Sequence, residues 1–572
     1  MLSFHRRGAI SMGNSVSPLG PLPVKPKPAV YNIYIGIAFM VIFFNLIAIF
    51  GLDSLLHDDP AWYKMVLSGE FPRWMFKYNL LSPFTEWTGW TIMAYSPHLA
   101  RGLYVLLLMV PLSCCFYYLY RFRFGFPWMT AFTAAVLPTI LPMQSEIPAG
   151  INMSYVLWGL LISVLSLILG FHYLEKNTPK NWIRLMGAIL SYLAATQIME
   201  QALFLFPPFV LAFWGYKKFD KKNIYLISFF ALIAFSRFIQ MVLLPRVPIK
   251  KIPLDMILKR ILTYFKWGLP FGDIDPVYPV IIFLGIVSVG FILYLKQPGD
   301  EPKFNRIFLY ILFLGWAIST GFVFIFMSRY YIPRYVFISS FGLNALFVFS
   351  LYVILKKLFH GKFKLHIPVF AALILFSGIS RYFTLNETYT PVNTDFSIIQ
   401  RDLNKMSLPM DSQIVIVDIK GIAGGWERSS GYLQFALKRK DVTGLLGPID
   451  HTGYYNFDNH FNRRIKGWEP RYNMTGLSLK QPVFLFRLDK KTGELNQLEY
   501  TLQWRGEKKD APWTILKVDK ITGKILPLVS GTGMEEYVST LQELKKRGIP
   551  HSEILWGGPP TKAEQIRLEK GA

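Results

Sequence analysis

The feature that most constrains this chain is a succession of apolar runs between residues 31 and 381. Each is close to the roughly 20 residues a helix needs to cross a hydrocarbon core about 30 Å thick. The first, 31–51, follows a Pro-rich basic start carrying Arg6, Arg7, Lys25 and Lys27. It begins late, runs long and lacks a small-residue cleavage site, so it reads as a retained helix rather than a cleaved signal peptide. Further spans are expected near 102–120, 126–142, 153–173, 184–199, 202–215, 223–244, 278–295, 307–327, 335–355 and 366–381, eleven in all. The two around Pro207 and Pro208 are short, as a tilted or re-entrant pair would be. Only 17% of residues are charged, against about 25% in a soluble chain, which argues against a simple cytosolic enzyme.

The formal charge of +25 would suggest nucleic acid as partner in a soluble protein. Here the cations follow the spans. Threading the chain alternately from a cytoplasmic segment 1–30 puts Arg121 and Arg123, Lys176, Lys180 and Arg184, Lys217, Lys218, Lys221 and Lys222, Lys296, Lys303 and Arg306, and Lys356, Lys357, Lys362 and Lys364 on the starting side. That is the positive-inside pattern, and it leaves no call for a nucleic acid. The odd span count places residues 382–572 on the far face, periplasm in a bacterial inner membrane or lumen in a eukaryotic endoplasmic reticulum. Of the 14 Asp and Glu before residue 382, only Glu175, Asp220, Asp300 and Glu301 thread inward. Carboxylate chemistry therefore belongs to the outer face. Cys114 and Cys115 stand adjacent within an apolar run, so neither a disulfide framework nor a spaced-thiolate zinc site can be built.

The tail, 382–572, changes character. Asp489-Lys490-Lys491-Thr492-Gly493 and Asp519-Lys520-Ile521-Thr522-Gly523 read as hairpin turns between alternating apolar runs, 413–417 as a buried strand, and 534–547 as an amphipathic helix. The expected architecture is a multi-span α-helical membrane domain, 31–381, with an extracytoplasmic α/β domain large enough to bury its own core. In that domain Trp426-Glu427-Arg428 and His451 are the features that stand out.

The first outer loop, 52–101, carries His57-Asp58-Asp59-Pro60 just past the first span. Adjacent carboxylates at a membrane surface repel each other and lose hydration, so a cation, a basic neighbour or a shared proton must compensate. The alternative use of the pair is to cap a short helix beginning at Pro60, and capping and catalysis are compatible. Trp62, Trp74, Trp87 and Trp90 enrich the same loop in indoles, for interfacial anchoring or for stacking on sugar faces. His57 has no second His or Cys at ligand spacing.

Asp58-Asp59 in a long first outer loop, Glu146 in the second, Glu200 at a short helical pair and a C-terminal outer domain together resemble the GT-C superfamily of integral membrane glycosyltransferases. The likeness covers the architecture of the whole chain, but its sequence motif is two residues long. It implies a polyprenyl-phosphate-linked sugar as donor and a glycan, lipid or protein acceptor, with the bilayer supplying the donor. It also implies that Asp59 or Asp58 is the general base of an inverting displacement. The other member of the pair would hold the acceptor or a divalent cation, Mg or Mn, with Asp58 its ligand. Asp273-Ile274-Asp275 is the nearest Asp-x-Asp to a nucleotide-sugar metal motif, and reads as a turn before Pro276.

A departing phosphate needs fixed cations. The basic outer loop 245–277 breaks the charge trend with Lys250, Lys251, Lys259, Arg260 and Lys266, and 254–264 reads as a helix with its cations on one side and Leu, Ile and Met on the other. Arg329 and Arg334, at the mouths of two late spans, suit bidentate phosphate binding or snorkelling to headgroups. Glu146, Glu200 and His57 are supporting or acceptor-binding candidates, and Glu200 has Arg237 as an alternative ion-pair partner. A pyrophosphate-linked glycan polymerase or ligase and a multi-span transporter are the competing readings.

Overall fold

The computed structural model describes residues 28–49, 59–69, 71, 79–144, 150, 154–175, 181–216, 220–243, 253–296, 303–322, 325, 333–359, 365–417, 419, 426–447, 481–489, 491–504, 512–549 and 554–555. The helices are α1 (Pro28–Ile49), α2 (Asp59–Ser68), α3 (Ser82–Tyr95), α4 (Pro97–Arg123), α5 (Trp128–Val136), α6 (Ser154–Glu175), α7 (Asn181–Ile198), α8 (Phe206–Tyr216), α9 (Lys221–Leu243), α10 (Leu254–Gly268), α11 (Val277–Leu295), α12 (Lys303–Ala317), α13 (Phe337–Leu358) and α14 (His366–Leu403). After them come β1 (Gln413–Val417), α15 (Trp426–Leu437), β2 (Thr443–Gly447), β3 (Val483–Asp489), β4 (Glu494–Leu498), β5 (Tyr500–Trp504), β6 (Pro512–Val518), β7 (Ile525–Thr532), α16 (Gly533–Lys546) and β8 (Ile554–Leu555).

Among the described residues six helices, α4, α6, α9, α11, α13 and α14, are long and apolar enough to cross a membrane, and Tyr31–Ile47, Trp128–Ile140 and Ile307–Gly321 are shorter apolar helices. The chain is thus an integral membrane protein by the length and composition of its helices, and the count of eleven remains an expectation. Met199 is extended between α7 and the 3-10 turn Glu200–Leu205, and α8 follows with Pro207 and Pro208 in its first turn. This is the short pair read from the sequence.

Contacts divide the chain into two units. The first comprises Met1–Val41, Met109–Leu141 and Gly159–Ser377, and the second Ile42–Leu108, Pro142–Trp158 and Gly378–Ala572. At the centre of the first lies α13, buried continuously from Val336 to Ser350. Neighbouring helices reach it through glycines. A methyl group on Gly342 would meet the Phe313 carbonyl oxygen at 2.9 Å, and one on Gly290 the Ser350 Cα at 2.8 Å, the close backbone approach that small residues allow between apolar helices. Phe116 stacks on Phe341 with centroids 3.9 Å apart. The outward side is apolar as well: Ile281, Leu284 and Ile292 of α11 and Leu232, Phe235 and Phe238 of α9 are exposed, as lipid-facing surfaces are.

In the second unit the tail forms two four-stranded sheets, ordered β2-β1-β3-β4 and β7-β6-β5-β8. β1 runs parallel to both β2 and β3, with α15 as the β1–β2 crossover, while β3–β4 and β6–β7 are antiparallel hairpins. Both turns are those expected. Gly493 and Gly523 adopt φ of 65° and 68°, and Asp489 and Asp519 accept the backbone N–H two residues on, at 2.8 and 3.0 Å, the aspartate turn that favours such sequences. All of Gln413–Val417 is buried. The predicted amphipathic helix is α16, which puts Tyr537, Leu541 and Leu544 into the core of the second sheet.

The expected boundary at residue 382 falls inside α14, a 38-residue helix about 57 Å long at 1.5 Å per residue. Its exposed side carries Leu375, Phe376, Ile379, Tyr382 and Phe383 and then Glu387, Thr388, Thr394 and Ser397. The helix passes from an apolar to a polar exterior without interruption, because the buried stripe Ile374, Ser377, Arg381, Leu385, Tyr389, Val392, Phe396, Ile399 and Leu403 keeps its three- and four-residue spacing throughout.

Candidate functional site

Helix α2 starts at Asp59, with Pro60 preset to a helical φ in the first turn. After it, Phe71 sits against Phe84 and Trp87 of α3, centroids 5.6 and 5.4 Å apart. Ser96-Pro97 opens α4, where the Ser96 hydroxyl accepts the Leu99 N–H at 3.2 Å, the usual capping bond. Among its described residues the first loop holds three helices, α2 on α3 and α3 on α4. Trp90 is fully buried, which makes it core rather than a stacking platform. Trp87 is half-buried, and the side chains of Trp62 and Trp74 lie outside the described residues.

The loop does not stand alone. α2 packs on α15 of the tail domain, where Tyr63 meets Phe435 edge to face, centroids 5.2 Å apart. Burial pushes the Tyr63 phenol above its ordinary pKa. The tail has apolar clusters of its own on both sheets, Val415, Val417, Leu445, Val483 and Leu485 on the first and Leu502, Trp513, Ile515 and Tyr537 on the second, and α15 adds a contact beyond them. From Ser429 to Leu437 every residue of α15 is buried, and α2, from another part of the chain, supplies part of the cover.

Charged groups with no motif around them in the sequence are buried in this unit, among them Glu86, Arg101 and Arg381. Glu86 accepts the Ser82 hydroxyl at 2.6 Å, and all three are engaged by other groups of the chain. Their signal in the sequence is a charge within an otherwise apolar helix, which must be partnered to be tolerated. In the sequence Arg101 and Arg381 mark only the ends of a loop and a span.

His57, Asp58, Glu146, Lys250, Lys251 and Arg329 lie outside the described residues, as do Trp426-Glu427-Arg428 beyond their backbone and His451. Arg334 lies in the 3-10 turn Pro333–Val336 that leads into α13. Glu200 opens the 3-10 turn after α7 and is half-buried. Arg237, its suggested partner, is buried and donates to Gln240 Oε1 at 2.5 Å. Asp275 accepts the Val277 N–H at 2.9 Å at the start of α11, and Asp273 pairs with Lys266. The Asp-Ile-Asp sequence is therefore the turn expected. Among the described residues no group of three or more His, Cys, Asp or Glu side chains could hold a metal ion.

α10 departs from the expected arrangement of cations on one side and apolar residues on the other. Arg260 is buried and donates to the Ile325 carbonyl at 2.9 Å, Tyr264 donates to the Ala317 carbonyl at 2.7 Å, and Asn344 of α13 donates to the Gly268 carbonyl at 2.8 Å. Leu254 and Leu258 are exposed beside Lys259. Inside a membrane protein a helix profits from turning apolar residues to lipid and a guanidinium to buried carbonyls, so Arg260 serves as an internal brace.

These placements define a polytopic helical membrane protein whose first loop after α1 folds with its C-terminal α/β domain. No family model matches the sequence, and no curated protein matches it significantly. Among solved structures it is similar to apo ArnT from Cupriavidus metallidurans, with 12% identity over 81% of this chain and 93% of that one and a TM-score of 0.47. It is also similar to the Archaeoglobus fulgidus oligosaccharyltransferase complexed with zinc and sulfate, with 12% identity over 73% of this chain and 62% of that one and a TM-score of 0.39. At such identities and scores neither likeness transfers a residue or a substrate.

Proposed function

We propose that the protein is a membrane glycosyltransferase of GT-C type. It moves a sugar from a polyprenyl-phosphate donor to a glycan, lipid or protein acceptor on the extracytoplasmic face. The observation that carries this reading is the position of Asp59: it begins the first described helix after α1, in a loop that belongs to the same compact unit as the C-terminal domain.

In this reading Asp59 takes the proton from the acceptor hydroxyl, and the oxygen attacks the anomeric carbon opposite the departing lipid phosphate, inverting its configuration. The base must lie within about 3 Å of the attacking oxygen. Asp58 orients the acceptor or binds a divalent cation, which would stabilise charge on the phosphate. Arg329, Arg334, Lys250 and Lys251 are the phosphate cations. Arg260, one N–H of which donates to the Ile325 carbonyl, braces α10 and stays with them as a candidate. Glu146, Glu200 and His57 remain candidates for acceptor binding. Donor turnover by the purified protein over a panel of polyprenyl-phosphate sugars, with and without chelator and with and without Asp59, tests the assignment.

A further inference from the structure

Ser429 and Ser430 on the inner side of α15 accept the N–H groups of Leu446 and Gly444 of β2, each at 3.0 Å. That side is therefore fixed to the sheet. The aromatic side carries Tyr432 and Phe435, which contact Phe396 of α14 at centroid distances of 5.3 and 5.6 Å. Phe435 then meets Tyr63 of α2, while the Lys438 ammonium covers the Phe435 ring at 4.0 Å. An unbroken line of rings thus runs from α14 through α15 to α2. It reaches Tyr63, which is 4% exposed and one helical turn after Asp59.

A ten-residue helix is too short to be stable on its own, so where α2 sits is decided by what it packs against. We propose that the tail domain is the positioning element for Asp59, with Phe435 and Tyr63 as positioning residues that fix the start of α2 through ring contact. The proposal rests on the transferase reading for its consequence in turnover, though the ring contact itself does not. An aromatic pair has preferred offset and edge-on geometries, so it sets the orientation of a helix better than an aliphatic contact would. Displacement of a reacting group by about 1 Å can cost about 100-fold in rate. The tail then acts on catalysis without contributing a group to the chemistry.

The test uses the full-length protein in detergent, comparing wild type with Phe435→Ala, Tyr63→Ala and the ring-preserving Phe435→Tyr and Tyr63→Phe. Amide exchange is followed over Asp59–Ser68, with α13 as internal reference, and turnover is measured on polyprenyl-phosphate mannose, glucose and galactose. Both alanine variants should raise exchange in α2 by about tenfold or more with α13 unchanged. They should lower kcat by about 10- to 100-fold and leave donor KM near its original value, while the ring-preserving variants retain both properties. Unchanged α2 exchange in both alanine variants overturns the proposal whatever turnover does. A loosened α2 with wild-type kcat also overturns it. If wild type turns over none of the probes, the transferase reading loses its support, and exchange still decides whether the tail holds α2.

Discussion

Arg123 at the end of α4 donates through both terminal nitrogens to Glu175 at the end of α6, with Nη2 3.1 Å from Oε2. Arg123 also donates to the Tyr118 hydroxyl at 2.7 Å, and Tyr216 at the end of α8 donates to Glu175 at 3.0 Å. Three helix ends are thereby tied to one carboxylate. The Arg123 side chain is 1% exposed, against 22% for Glu175, so losing the acid strands a charge that cannot reach water. Glu175→Ala should destabilise the protein by about 3–5 kcal/mol, whereas replacing both partners with apolar residues should cost much less. Thermal unfolding in detergent of the two single variants and the double variant checks this, and a double variant as damaged as Glu175→Ala would contradict it.

The tail has an acid-sensitive staple. Arg439 donates to the Leu408 and Pro409 carbonyls, both at 2.8 Å, and pairs with Asp441, which also accepts the Asp411 N–H at 3.1 Å. The Arg439 guanidinium holds the Asp441 carboxyl down to about 2 from an ordinary 3.8. A carboxyl with a lowered folded pKa stabilises above its unfolded pKa and loses that contribution as pH falls through the folded one. Stability should therefore drop between about pH 4 and pH 2, and Asp441→Asn should already be weakened at pH 6 with a shallower acid limb. Melting temperature against pH for the two proteins measures this.

The threading of the chain makes a direct prediction for α14. With Cys114 and Cys115 replaced by alanine, Thr394→Cys on the polar exposed side should react with an impermeant maleimide in intact cells. Lys357→Cys, exposed at the end of α13, should react only after permeabilisation. The reverse pattern would turn the topology over.

Because α15 is buried from Ser429 to Leu437 and partly covered by α2, residues 382–572 expressed alone should uncover Phe435 and its neighbours. The isolated fragment should bind a hydrophobic dye and exchange its α15 amides rapidly. A fragment that also carries α2, fused by a flexible linker, should do so less. Equal protection in both fragments would show that the tail closes its own core.

Much of the fold was legible because membrane helices and hairpin turns are governed by local rules. Apolar length marked α4, α6, α9, α11 and α13, and Asp-x-x-x-Gly marked the turns at 489–493 and 519–523. What stayed hidden depends on distant partners. Arg260 looked like a surface cation because periodicity separates the sides of a helix without saying which meets lipid. Arg101 and Arg381 looked like loop ends because burial is decided by packing. The union of α2 with α15 joins residues more than 360 positions apart, a distance at which no periodicity reports. The acidic pair stands out in the sequence by its position just past the first span, where a helix cap and catalysis are both open to it.

The most direct test of the central claim is turnover of a polyprenyl-phosphate sugar by purified wild type and Asp59→Asn at matched folding. The amide keeps the size of the side chain and removes its capacity to accept a proton, so kcat should fall by about 10²- to 10⁴-fold while thermal stability and donor binding hold. Equal turnover in the two proteins would remove Asp59 as the base and contradict the account.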